Sequence, residues 1–469
     1  MRLIITFCCV SVLACAAWAD TIVLKRGTRI VVDSVVERNG QVEYTIGDNT
    51  LTIPKSIVER IETGPAASAP PARPHELAPE ELPAMREEMA VSEDLIARII
   101  RNNQVDTVAL NAVQQEGVPA QTAGAFAIAA GFESNKNNLK QVLLYLQSAL
   151  HYLPNHPVLL ENYATLLLKL GHPAEGVFYA EQATHANPQS AAAFSILGYA
   201  QYQNDHNREA IAALKKSLEL QPDDKVKKML DRVERESKTE ADFHEQESSH
   251  FTLRYEGSQA DDGLRQKILD TLEEDYRALE GDLGATPHNI VVSLYTDQAF
   301  FDVTQAPAWS AALNDGKIRV PISGVTAVTP ELARVLRHEL THSFVAQITH
   351  NHVPQWLNEG IAELEQGTGT SAFGARLAAL YASGHQVPLN MLEGNFDGLS
   401  KEEAFVAYAE SIAAVEYIRA NFGMGDLARI LQRLGDGQSI EAALRTTIHG
   451  GYAEMETDLT EYLKKNYGT

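Results

Sequence analysis

The sequence predicts a multidomain chain: a small all-β N-terminal module, an α-helical repeat array, and an α+β C-terminal domain. Three observations carry this. Residues 20–64 are rich in β-branched side chains punctuated by turn residues. Pro154, Pro188 and Pro222 recur at a constant spacing of 34 residues. From residue 245 onward, strand-like runs alternate with long amphipathic stretches. At 469 residues the chain is too long for one ordinary core and suits about three domains.

Composition narrows the function. Hydrophobic residues at 45% and charged residues at 22% exclude a chain disordered throughout. Lys and Arg number 39 against 62 Asp and Glu, a net charge of −23. That charge repels phosphate backbones and anionic lipid, so neither nucleic acid nor an acidic membrane is expected as the main partner. The 3 cysteines, Cys8, Cys9 and Cys15, all fall at the very start. The rest of the chain therefore has no thiolate ligand, cysteine nucleophile or disulfide.

Residues 1–19 read as a secretory signal peptide. Arg2 precedes an apolar run from Leu3 to Ala17, and Ala17-Trp18-Ala19 stands ahead of Asp20. The expected location is exported, periplasmic or secreted. Val12-Leu13-Ala14-Cys15 offers a lipoprotein anchored through Cys15 as the minor alternative, although Leu13 is bulky for that pattern. No later segment is long and apolar enough to span a bilayer.

Residues 20–64 read as four or five short strands in a barrel-like module. Thr21 to Leu24 runs into Arg26-Gly27, and Arg29 to Val36 ends at Asn39-Gly40, a strong hairpin signal. Further strands at Gln41–Ile46 and Thr50–Ile53 are bounded by Gly47 and Pro54. With no titratable cluster, this module suits docking or spacing better than chemistry. Residues 65–90 carry Pro65, Pro70, Pro71, Pro74, Pro79 and Pro83 among alanines, a semi-rigid linker.

A helical lead-in occupies 91–122, and residues 123–236 form the repeats with their capping helix. Ala130, Ala164 and Gly198 fall in register, as do Val142, Gly176 and Ala210, and Leu146, Ala180 and Leu214. Small residues at these offsets let paired helices approach closely, and each proline closes a unit. The pattern resembles the tetratricopeptide repeat in about three copies, which implies a protein partner bound on the repeats. Residues 225–247 are densely charged and read as a solvated capping helix.

The chemistry lies in 245–469. His338-Glu339-Leu340-Thr341-His342 is an H-E-x-x-H string. On a helix, residues i and i+4 share a face, so both imidazoles can reach one metal ion. Glu339 borders that face and can take a proton from an activated water. Thr329-Pro330 supplies an N-cap and a first helical proline, and Leu332, Val335, Leu336 and Leu340 supply a buried stripe. A zinc site needs a third protein ligand. Val345 and Ile348 stand where one metalloprotease type places a glycine and, three residues on, its third histidine, and His350 and His352 fall in a loop. Trp356-Leu357-Asn358-Glu359-Gly360-Ile361-Ala362-Glu363 is the better source. Glu359 can supply a carboxylate oxygen, and Glu363, one turn on, can orient a ligand histidine. The assignment between these two glutamates stays open at this point.

The two motifs together resemble the gluzincin metallopeptidases, the group with thermolysin-like and aminopeptidase-like domains. The resemblance implies Zn2+ on His338, His342 and Glu359, Glu339 as base, and a protein or peptide substrate. The G-x-M-E-N element of the aminopeptidase branch is absent, so nothing implies exopeptidase specificity. The order of repeats and peptidase domain is similar to exported bacterial proteins of the peptidase-MA-like type. By the same resemblance Tyr408 is the candidate stabiliser of the oxyanion. It shares a helical face with Ser411, Ile412 and Val415 after a capping box at Ser400. Phe251–Tyr255 and Ile290–Tyr295 read as strands around an amphipathic helix at Leu264–Leu279. Lys317 to Pro321 reads as an edge strand, which in gluzincins pairs with an extended peptide. The alternative to an enzyme is an inactive scaffold that binds partners through its repeats. A hydrolase acting on another bond is the third reading.

Overall fold

The computed structural model describes residues 20–24, 29–32, 34–38, 41–46, 49–55, 58–62, 89, 91–136, 138–257, 260–288, 290–304, 312–314, 316–394, 396, 399 and 401–468. The signal peptide with Cys15, the Pro/Ala linker and the Ser400 cap lie outside the described residues. The chain divides into two compact units, 1–77 and 78–469.

In the first unit, β1 (Asp20–Leu24), β2 (Arg29–Val32), β3 (Ser34–Arg38), β4 (Gln41–Ile46), β5 (Asn49–Pro54) and β6 (Val58–Glu62) make two three-stranded sheets, ordered β2-β1-β6 and β3-β4-β5. Arg38 stands opposite Gln41 across the β3–β4 pair. That register leaves a two-residue connection, the length an Asn-Gly turn favours.

The second unit opens with α1 (Glu93–Ile99), a short hairpin of β7 (Ile100–Arg101) and β8 (Gln104–Val105), and α2 (Thr107–Gln115). Three antiparallel helical hairpins follow: α3 (Pro119–Asn135) with α4 (Leu139–Tyr152), α5 (Pro157–Lys169) with α6 (Pro173–Ala186), and α7 (Ala191–Gln203) with α8 (Asn207–Leu220). The in-register small residues lie at the helix contacts. A Cβ on Gly198 would stand 2.6 Å from Leu214 Cγ, so only glycine allows this approach of α7 to α8. Then α9 (Asp224–Thr239) covers the last hairpin with Val226, Leu230 and Val233.

A mixed five-stranded sheet follows, ordered β12-β13-β11-β10-β9, from β9 (Phe243–Glu247), β10 (Phe251–Glu256), β11 (Ile290–Tyr295), β12 (Leu313–Asn314) and β13 (Ile318–Pro321). Between its strands run α10 (Asp262–Leu283) and α11 (Asp297–Thr304). After them come α12 (Pro330–Thr349), α13 (Gln355–Glu365), α14 (Gly374–Ala382), α15 (Lys401–Phe422), α16 (Met424–Gly435), α17 (Ile440–Ile448) and α18 (Tyr452–Tyr467). Leu253, Val292, Leu294, Leu272, Leu336, Leu340 and Trp356 share one core, so the sheet, α10 and α12 are packed together.

Two expectations are corrected here. The charged run 225–247 is not one helix: α9 ends at Thr239, and residues 243–247 form β9, antiparallel to β10. A free edge on β10 captures this segment, whose hydrogen bonds outweigh its helical propensity. Strand β13 is not an edge either, because it pairs with β11 on one side and β12 on the other. The basic residues of the expected edge are buried rather than solvated, with Lys317, just ahead of β13, at 6% and Arg319, within it, at 0% exposure.

Their counter-charges come from the helical hairpin α7–α8 and from α9, which explains why these helices and the C-terminal domain share one unit. Lys317 Nζ donates to Glu236 Oε1 at 2.6 Å and to Asp205 Oδ1 at 2.8 Å, and Arg319 Nη2 donates to Glu236 Oε2 at 2.7 Å. The Tyr202 hydroxyl donates to Glu236 Oε2 at 2.8 Å, and Arg254 Nη1 donates to Asp205 Oδ1 at 2.7 Å. Burial alone would raise the Glu236 pKa, but Arg319 and Lys317 outweigh it and hold the carboxyl at about 2. A depressed carboxyl stabilises above its ordinary 4.5 and loses that contribution as pH falls toward about 2. Urea unfolding of the full chain is therefore expected to weaken across that window. Glu236→Gln should flatten this pH dependence.

Candidate metal centre

Helix α12 starts where local chemistry dictates. Thr329 Oγ1 accepts from Leu332 N at 3.2 Å, and Pro330 occupies the first turn. Arg337 fixes the helix against its neighbours: Nη1 donates to Asp275 at 3.0 Å on α10, and Nη2 donates to Glu365 at 2.7 Å on α13. The adjacent His338 and, one turn on, His342 then face α13. Helix α13 lies close to α15 because Gly360 has no side chain. A Cβ there would stand 2.5 Å from the Ser411 carbonyl oxygen and 2.6 Å from Val415 Cγ2. This crossing brings Glu359, Glu363 and Tyr408 to the histidines.

Three ligand-type side chains converge. His338 Nε2 lies 3.2 Å from His342 Nε2 and 3.6 Å from Glu359 Oε2, and His342 Nε2 lies 3.9 Å from Glu359 Oε1. Tetrahedral ligands at about 2.0–2.2 Å from an ion are separated by roughly 3.3–3.6 Å, which these distances bracket. Within the described residues, His338, His342 and Glu359 form a cluster that can hold a metal ion.

The chemistry of the donor set fits a cation. The amide oxygen of Asn358 faces His342 Nδ1 at 3.0 Å, so that nitrogen carries the proton and Nε2 presents its lone pair to the cluster. Glu359 Oε2 is buried without a hydrogen-bond partner, although its other oxygen accepts from Gln355 Nε2 at 2.8 Å. Burial works against the charge on Glu359, but the neighbouring His342 and His338 outweigh it and hold its pKa below the ordinary value. A buried carboxylate facing the His342 lone pair is an arrangement that a bound cation stabilises.

The remaining residues surround this cluster. Glu363 Oε1 stands 4.0 Å from His338 Nδ1, beyond a hydrogen bond, while its Oε2 accepts from Gln366 Nε2. Glu339 is buried, 8% exposed, and burial with the nearby Glu359 charge pushes its carboxyl up to about 7. Tyr408 is half-buried with its ring against Phe396, and burial with Glu359, Glu363 and Glu339 raises its hydroxyl pKa. His350 and His352 lie apart from the cluster, His350 capping the C-terminus of α12 in a left-handed conformation at φ 52°.

Sequence reasoning missed three supporting residues: Asn358, Gln355 and Asn314. Asn314 Nδ2 donates to the Glu339 carbonyl oxygen at 2.6 Å and to Ser343 Oγ at 2.7 Å, tying β12 to α12. The signal for Asn358 was its place beside Glu359 on α13; Asn314 sits in a short strand with no pattern of its own.

No curated protein matches the chain. Residues 279–465, which hold both motifs and Tyr408, match the model of the Peptidase MA superfamily, and this makes the segment a peptidase-like domain at the level of that superfamily.

Proposed function

We propose that the chain is an exported zinc-dependent peptidase with a tetratricopeptide-type module that binds a protein partner. The observation that supports this most is the convergence of two imidazole Nε2 atoms and an unpartnered, buried Glu359 oxygen beside Glu339. In this reading His338, His342 and Glu359 hold the ion, and Glu363 and Asn358 orient the two histidines. Zinc bound there would supply an acidified water and a polarised substrate carbonyl.

The chain's own residues handle the protons. Glu339 takes a proton from the attacking water and passes it to the leaving amine. Its enclosure keeps bulk water from competing for that proton. The positive charge of an ion on the ligands lowers the Glu339 pKa, which keeps it ionised and basic at neutral pH. The Tyr408 hydroxyl donates to the oxygen that gains charge when the carbonyl is attacked. Its raised pKa keeps that proton in place at neutral pH.

Export follows from residues 1–19, with cleavage before Asp20, or acylation of Cys15 in the lipoprotein form. The test of the enzyme reading is cleavage of an unfolded protein substrate, abolished by a chelator and restored by zinc. Tyr408→Phe is expected to retain the metal and lose about 10²–10³-fold in kcat. A chelator-insensitive preparation would refute the metal-dependent mechanism.

A further inference from the structure

We infer that Glu236, on the helix that caps the repeats, is a positioning residue for the β12–β13 hairpin beside Glu339. The kinetic part of this inference rests on the peptidase reading; the structural part does not. Lys317, in the turn before β13, and Arg319, in β13, reach into the repeat module, where Glu236 accepts from both. Glu236 is itself 0% exposed, so this is an enclosed grip and not a surface ion pair. Asp205, in the loop between α7 and α8, adds a second carboxylate on Lys317.

The hairpin is held on its other side by the candidate active site. Asn314 in β12 donates to the Glu339 carbonyl oxygen and to Ser343, while its own Oδ1 accepts from Gly316 N at 3.1 Å. Only Lys317 and Ile318 separate that turn from Arg319, so the two grips act on one short segment. Strand β12 is the outermost strand on this side of the sheet among the described residues. An extended substrate that adds to this edge would pass the residues bonded to α12 at Glu339.

Removing Glu236 takes the shared carboxylate from two buried cations, leaving Lys317 with Asp205 and Arg319 with the neutral Tyr202 hydroxyl, and both are then driven toward water. The hairpin must move with them, because Lys317 and Arg319 belong to it. The repeat module thus supplies part of the frame of the catalytic domain, besides whatever it binds.

The test compares Glu236→Gln and Lys317→Met in the full chain. Lys317→Met preserves the Glu236–Arg319 pair, so it remains informative if Glu236→Gln fails to fold. Hydrogen exchange of residues 312–321 is expected to accelerate roughly tenfold in both, with α12 protection and zinc content unchanged. On a quenched peptide substrate, KM should rise about tenfold while kcat changes less than about twofold. Lys317→Arg, which keeps the charge, should behave as wild type. Unchanged exchange in 312–321 would overturn the inference, as would faster exchange with an unchanged KM. If the wild type cleaves nothing, the peptidase reading falls, and the exchange result alone supports or overturns the grip.

Discussion

Glu339→Gln is expected to keep the fold and the metal while turnover falls by about 10²–10⁴-fold, the range that general-base catalysis supplies. The substitution preserves size and removes basicity. Its neighbours His338 and His342 carry the nitrogens of the cluster, whereas Glu339 contributes no atom to it. The backbone bond from Asn314 to the Glu339 carbonyl does not depend on the side chain, so β12 should stay seated. Zinc content, thermal unfolding and kcat measured on one preparation check this. Wild-type turnover in Glu339→Gln would remove the proton-transfer role and favour the scaffold reading.

The second large effect separates the two glutamates of α13. Glu359→Gln is expected to abolish tight zinc binding, because it removes a buried anionic donor 3.6 Å from His338 Nε2. Glu363→Gln and Asn358→Ala should weaken binding by about 10–100-fold, since those groups act on the histidines and not on the ion. Of these two, Asn358→Ala should cost more. Asn358 makes a 3.0 Å contact to its histidine, whereas Glu363 stands at 4.0 Å. Zinc titration against a competing chelator ranks the three variants. A greater loss in Glu363→Gln than in Glu359→Gln would reverse the assignment.

What the sequence reveals depends on how local the determining physics is. His338 and His342 are four residues apart on one helix, so their shared face follows from the helical repeat alone. Thr329 and Pro330 mark the start of that helix for equally local reasons. The 34-residue proline period likewise marks the helical hairpins, because each unit repeats the same close contacts. Lys317 and Arg319 show the opposite case. Basic residues alternating with apolar ones look like a half-solvated edge, yet their partner Glu236 lies 81 and 83 positions upstream. No local pattern announces a counter-charge at that distance. The same blindness made residues 225–247 look like a single exposed helix, since the strand partner at β10 comes later in the chain. Asn358 falls between the two cases: its residue type was visible, but its role depends on how α12 crosses α13.

The most direct measurement of the central claim is the zinc content of purified protein by elemental analysis. The full chain is compared with His338→Ala and His342→Ala after equal exposure to zinc and removal of loosely bound metal. The account predicts one zinc per chain in the wild type and none tightly held in either variant. Wild-type zinc content in both histidine variants would contradict it.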